Sequence, residues 1–167
     1  MISFNYFKIA AFLLFVAALG SCQKETQDFD LSKTYDGVET ELWEHFENFE
    51  KAAAERGVRI DLAAAGITGS IGKIHTPGLV GICNHNADTP NHVMIDIDFW
   101  RNASQLAKEM IIFHELGHCF LHRGHNDDQH HNGTCKSIMR SGKGGCLDLY
   151  NNSNRGDYMD ELFTETH

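Results

Sequence analysis

Residues 114–125 read His-Glu-Leu-Gly-His-Cys-Phe-Leu-His-Arg-Gly-His, and Ser137-Ile138-Met139 follows shortly after. Two histidines four positions apart, with a glutamate directly after the first, are the minimal set for metal-assisted hydrolysis. On a helix His114 and His118 leave the same face one turn apart, so both imidazoles reach one ion while Glu115 stands beside it. A zinc ion held by three protein ligands keeps a fourth position for water and lowers the pKa of that water towards neutrality. A neighbouring carboxylate can then accept the proton, which makes Glu115 the candidate general base. The pentad alone proves little in a chain with 11 histidines, so its surroundings have to carry the assignment.

The helix that must present these residues reads from Asn102 to Arg123, with Asn102 as N-cap and Gln105 as its reciprocal capping partner. Leu106, Met110, Phe113, Gly117 and Phe120 recur at helical spacing, and Ala107, Ile111 and Ile112 add apolar surface beside them, so this helix is largely buried. Buried imidazoles need partners, and a metal ion is the simplest partner for two of them. The third ligand is His122 or His125. Eight residues of unbroken helix span roughly 12 Å, too far for His114, His118 and His122 to share one ion. Glycine commonly follows a helix end and takes positive φ without strain, so a turn is predicted at Gly124. His125 comes next and can swing back to the metal. The geometry favours it, leaving His122 to face solvent or to support the site from outside.

The stretch from 114 to 139 resembles the metzincins, zinc endopeptidases in which H-E-x-x-H leads through a glycine turn to a third histidine and later to a tight turn with methionine beneath the metal. The variant H-E-L-G-H-C-x-L-x-R-x-H followed by S-I-M also resembles small bacterial lipoproteins of metallopeptidase type. The resemblance implies one Zn2+ held by His114, His118 and His125, with Glu115 as general base. It further implies a Met-turn with Met139 as the floor of the site, and a wall of the primed-side pocket just after it. The chain departs from the common H-E-x-x-H-x-x-G-x-x-H pattern. Leu121 stands at the glycine, Gly124 stands at the third histidine, and His125 comes one residue late. A glutamate ligand from a later helix, the gluzincin arrangement, would have to be Glu161 or Glu165. Neither sits in the acidic pattern of that class, and His125 is nearer.

At the amino terminus Lys8 precedes an apolar run from Ile9 to Leu19, and Leu19-Gly20-Ser21 ends at Cys22. The run is too short to span a bilayer as a helix and reads as a signal segment. Small residues before a cysteine resemble the bacterial lipoprotein processing site, which implies lipidation at Cys22 and stable membrane anchoring. The alternative is an ordinary secretory signal with an incidental cysteine. The expected organisation is a signal peptide at 1–21, a lipidated cysteine and polar tether at 22–34, and a metallopeptidase domain at 35–167. The expected location is the bacterial cell envelope, as an outer-membrane lipoprotein facing the periplasm or the cell surface. The formal charge of −9, one unit more negative without Lys8, argues against nucleic acid as a partner. The mature chain is one domain's worth of residues, expected to act as a monomer.

Asp36–Arg56 reads as a first helix, with Val38, Leu42, Trp43, Phe46 and Phe49 on one side and Gly57 closing it. Short apolar pieces follow at Val58–Leu62, Ile67–Ile74 and Leu79–Cys83. Val93, Ile95, Ile97 and Phe99 alternate with polar neighbours at a period of two, predicting a half-buried strand. Asp157–Thr164 reads as a short closing helix. The expected fold is therefore α+β, and the resemblance implies a zincin-like or metzincin-like one: a small mixed sheet, a long active-site helix, a Met-turn and a short C-terminal helix. The resemblance implies that one strand forms the cleft edge and pairs with extended substrate, and Leu79–Cys83 is the candidate. Tyr150 is a candidate for touching substrate, beside the plainer role of a structural tyrosine.

Four cysteines remain after Cys22, and outside the cytoplasm they permit two disulfides in three pairings. Cys135 with Cys146 would staple the Met-turn loop, and Cys83 with Cys119 would tie a strand to the metal helix. Cys119 reads equally well as a small buried hydrophobe. His45, His75, His85 and His92 lack ligand spacing, as do His130 and His131 beside Asp127 and Asp128; all read as structural or solvated. The expected function is zinc-dependent cleavage of peptide bonds in a peptide or protein substrate, with Glu115 activating the zinc-bound water. Two alternatives use the same histidines: a zinc-binding lipoprotein without catalysis, which has no use for Glu115, and a zinc amidase acting on cell-wall peptides.

Overall fold

Leu42, Phe46, Phe49 and Ala53 recur about one turn apart, and in the computed structural model they line the buried side of helix α1, Thr40–Ala54. The structure describes residues 33–88, 90–142 and 149–164. The chain divides into Met1–Ser32 and Lys33–His167, and every described residue belongs to the second unit. The expected signal peptide, the lipidation site Cys22 and nearly all of the tether lie outside the described residues, as do Cys146 and Glu165. Among the described residues, no helix is long and apolar enough to cross a membrane.

Helix α1 starts later than the apolar pattern predicts. Glu39 is extended, and Val38 forms a parallel bridge to Gly69, which takes the segment before Thr40 out of the helix. Gly57 does close it, with φ at +76°. Val58–Leu62 forms no strand; the Leu62 N–H donates instead to the buried Glu50 carboxylate, which also accepts from Lys33 and Tyr35.

Three strands follow: β1 (Thr68–Gly72), β2 (Gly81–His85) and β3 (Pro90–Asp96). Their order is β1-β3-β2, with β1 parallel and β2 antiparallel to β3, so the sheet is mixed and β2 is an edge. The alternating pattern predicted a strand running on to Phe99, and the structure ends it at Asp96. The Asp96 carboxylate accepts from the backbone N–H groups of Ile74, Asp98 and Phe99. It thereby caps a short helix, α2 (Ile97–Asn102), and a cap outweighs two more alternating residues.

The long helix is shorter than predicted at both ends. Helix α3 runs Gln105–Cys119, and its N-cap is Ser104, whose Oγ accepts from Ala107 N–H at 3.2 Å. Asn102 serves α2 instead, donating to the Asp98 carbonyl. At the far end the chain leaves the helix after Cys119 and reverses at His122, which adopts φ of +55°. The Arg123 N–H then returns to the Gly117 carbonyl at 3.0 Å. Gly124 is not in the left-handed region, so the turn comes two residues before the predicted glycine.

The closing helix α4 (Arg155–Thr164) buries Tyr158, Met159, Leu162 and Phe163. Phe49 joins the layers, meeting Phe113 of α3 edge-on at 5.1 Å and Phe163 of α4 at 5.0 Å. Val93 and Ile95 supply the inner face of the sheet and are fully buried. A Cys83–Cys119 disulfide ties edge strand β2 to the end of α3. Cys135 is disulfide-bonded as well. Among the described residues the architecture is α+β, a three-stranded mixed sheet with four helices.

Candidate metal centre

His114 and His118 leave α3 one turn apart, as their spacing requires, and the reversal at His122 carries His125 back to them. His118 Nε2 lies 3.1 Å from His114 Nε2 and 3.2 Å from His125 Nε2. His122 does not join them. It is exposed, and its ring faces His85 at 6.4 Å between centroids.

The other ring nitrogens decide what those short contacts mean. His114 Nδ1 lies 2.8 Å from the Ile138 carbonyl, and His118 Nδ1 lies 2.7 Å from the Arg123 carbonyl. A carbonyl only accepts, so both Nδ1 atoms carry the proton and both Nε2 atoms present lone pairs to each other. Facing lone pairs repel unless a cation stands between them. A proton is a poor candidate, since burial pushes His114 down to about 4, the neighbouring imidazoles adding to the fall and the Ile138 carbonyl opposing it. Burial lowers His118 too. A metal ion suits better: donors about 2.0–2.1 Å from a tetrahedral centre sit about 3.3 Å apart, close to the observed spacing.

Glu115 lies beside this trio, 6% exposed, beneath the edge strand. Burial pushes its carboxyl up to about 8, opposed by a hydrogen bond from the Cys83 backbone N–H. Gly81 makes the approach feasible, because a Cβ there would meet Glu115 Oε1 at 2.7 Å. The strand ladder explains why Cys83 is available. Asp96 N–H donates to the Val80 carbonyl, so residues 80, 82 and 84 bond to β3, and Gly81 and Cys83 turn their backbone groups outward.

Below the histidines, Met139 is fully buried beneath α3. Ser137 Oγ accepts from the Met139 N–H at 2.9 Å, closing a tight turn that presents the Ile138 carbonyl to His114. A cleft of about 780 Å³ opens between β2 and α3, with Leu79, Val80, Phe99, Met110, Ile111 and Ile138 among its apolar lining, next to the histidines and Glu115.

Several singled-out residues lie elsewhere. Tyr150 is buried and donates to Glu109 at 2.5 Å, a bond that, with Arg155 on the same carboxylate, fastens α4 to α3; it is not among the cleft residues. Asp127 accepts from the N–H and Oγ of Ser141. His130 and His131 are exposed. Among the described residues a second set of donors could share an ion, Cys83, His85 and Cys119, but its two sulfurs are joined to each other. What the sequence reading missed is the support around the site: Gly81, the Arg123 and Ile138 carbonyls, and the bonds of the Ser137 hydroxyl. Backbone carbonyls carry no residue-type signal, but the small residues at 81 and 137 beside bulky neighbours were visible.

Compared with known proteins, the chain matches no family model, no curated protein and no solved structure.

Proposed function

We propose that this chain is a zinc-dependent metallopeptidase of metzincin-like design, with His114, His118 and His125 holding one zinc ion and Glu115 as general base. The observation that carries the reading is the convergence of three imidazole Nε2 atoms, two with their Nδ1 protons committed to carbonyls, beside a buried glutamate in a cleft. Zinc in that position supplies a water that ionises near neutral pH and a Lewis acid for the scissile carbonyl.

The protein's own groups do the rest. Glu115 accepts the proton of the attacking water and delivers it to the leaving amine. The outward backbone groups of Gly81 and Cys83 on the edge strand offer an extended peptide a neighbouring strand. Leu79, Phe99 and Met110 in the cleft suit an apolar substrate side chain. The lipoprotein-like leader ending at Cys22 supports an anchored protein in the bacterial cell envelope.

The test is Glu115→Gln. It should retain one zinc per chain and lose peptide hydrolysis by about 10²–10⁴-fold. Wild-type protein that binds zinc but cleaves no member of a broad peptide library would leave a metal-binding protein without catalysis.

A further inference from the structure

Glu161, on α4, is no ligand in this arrangement, yet its carboxylate is bonded to the neighbours of all three histidines. Oε1 accepts from Arg123 Nη2 at 2.5 Å and from Asn126 Nδ2 at 3.4 Å, and Oε2 accepts from Ser137 Oγ at 2.7 Å. Arg123 Nη1 reaches the Glu161 and Leu162 carbonyls as well, at 3.0 and 3.2 Å.

Each of those contacts stands one step from a histidine. Arg123 offers the carbonyl that accepts from His118. Ser137 closes the turn whose Ile138 carbonyl accepts from His114. Asn126 follows His125 directly, and its own N–H donates to the Met139 carbonyl at 2.9 Å, which stitches the two segments together. Metal-bound histidines usually give their second N–H to a carboxylate, a carbonyl or water, and losing such a partner costs about 10–100-fold in metal affinity or activity. Both partners here are loop carbonyls, which no rotamer preference holds in place. They are aimed only as well as the loops are held.

We propose that Glu161 is the positioning residue of the metal centre, a single carboxylate that clamps the segment after α3 to the Met139 turn and so orients His114, His118 and His125 together. The inference rests on the zinc reading above. Its consequence is that the charge of a residue on α4 sets metal affinity without touching the metal.

The experiment measures zinc affinity by chelator competition and the Co2+ ligand-field spectrum in purified wild type, Glu161→Gln, Ser137→Ala and Asp160→Asn. Asp160 sits next to Glu161 on α4 and pairs with Arg56 at the surface, so its variant loosens the helix without reaching the clamp. Glu161→Gln should weaken zinc binding about 10–100-fold and change the Co2+ spectrum. Ser137→Ala should shift both in the same direction, and Asp160→Asn should change neither. Wild-type affinity and spectrum in Glu161→Gln overturn the proposal; if that variant does not fold, the same result in Ser137→Ala overturns it. An equal loss in Asp160→Asn would also overturn it, because general loosening of α4 would then suffice. Wild-type protein that takes up no zinc overturns the zinc reading together with this one, whereas tight wild-type binding with unaffected variants overturns this one alone.

Discussion

The sulfur of Met139 fills the space that a side chain at Gly117 would occupy. The glycine inside the histidine pentad is therefore a packing requirement as much as a linker between two ligands. Gly117→Ala should destabilise the protein by about 1–3 kcal/mol through overpacking, and Met139→Ala by about 2–5 kcal/mol through the cavity it leaves. Since both changes act on one space, the double variant should cost less than the sum. Urea unfolding of the four proteins checks this, and strict additivity would show that the two residues do not share the contact.

The two candidate third ligands separate cleanly. His125→Ala should abolish tight zinc binding, whereas His122→Asn should keep it, because asparagine tolerates the left-handed backbone at that position. Zinc content after dialysis against a weak chelator is the readout. Loss of zinc in His122→Asn alone would reverse the assignment.

Metal-free protein should show a pH dependence that belongs to Glu115. Its carboxyl titrates near 8 in the folded chain against an ordinary 4.5, so between those values the unfolded chain releases a proton that the folded chain retains. Folding then binds protons, and stability falls as pH rises through that window. The buried His114 acts in the opposite sense lower down: its folded value of about 4 lies below the ordinary 6.5, so stability falls as pH drops below 6.5. Subtracting the denaturation profile of Glu115→Gln from that of wild type isolates the first effect. A flat difference from pH 5 to 8 would show that the carboxyl titrates normally.

Removing the Cys83–Cys119 disulfide should cost about 3–5 kcal/mol on chain-entropy grounds, given the sequence separation of 36 between its ends. The double Cys83→Ser, Cys119→Ser variant should still bind zinc, because neither sulfur is a proposed ligand. Its KM for peptides should rise more than its kcat falls, since the bond holds the edge strand against α3. Steady-state kinetics beside a denaturation curve separates the two expectations.

The grouping of the three histidines was easier to read from sequence than the path of the backbone that brings it about. That His114 and His118 share a face, and that His125 can reach them after a turn, followed from helical periodicity and the reach of a side chain, which are local properties. The way His125 arrives did not. A glycine at 124 pointed to the turn there, but the reversal occurs at His122, where Arg123 is drawn under α4 by Glu161 and the backbone accepts a left-handed histidine. Asp96 misled for a similar reason. Period-two alternation continued past it, while its carboxylate was already committed to capping α2. The first error comes from a partner distant in sequence overriding a local preference, the second from a local helix cap overriding an alternating pattern.

All of the proposed ligands lie between residues 114 and 125, but apart from the Arg123 carbonyl what aims them arrives later, from Ile138, Ser137 and Glu161. A chain still being synthesised carries the three imidazoles and the glutamate without several of the groups that hold them in place. In the proposed hydrolase, competence would then be tied to completion of the fold, so that the four side chains could not cut neighbouring chains before the later segments arrive.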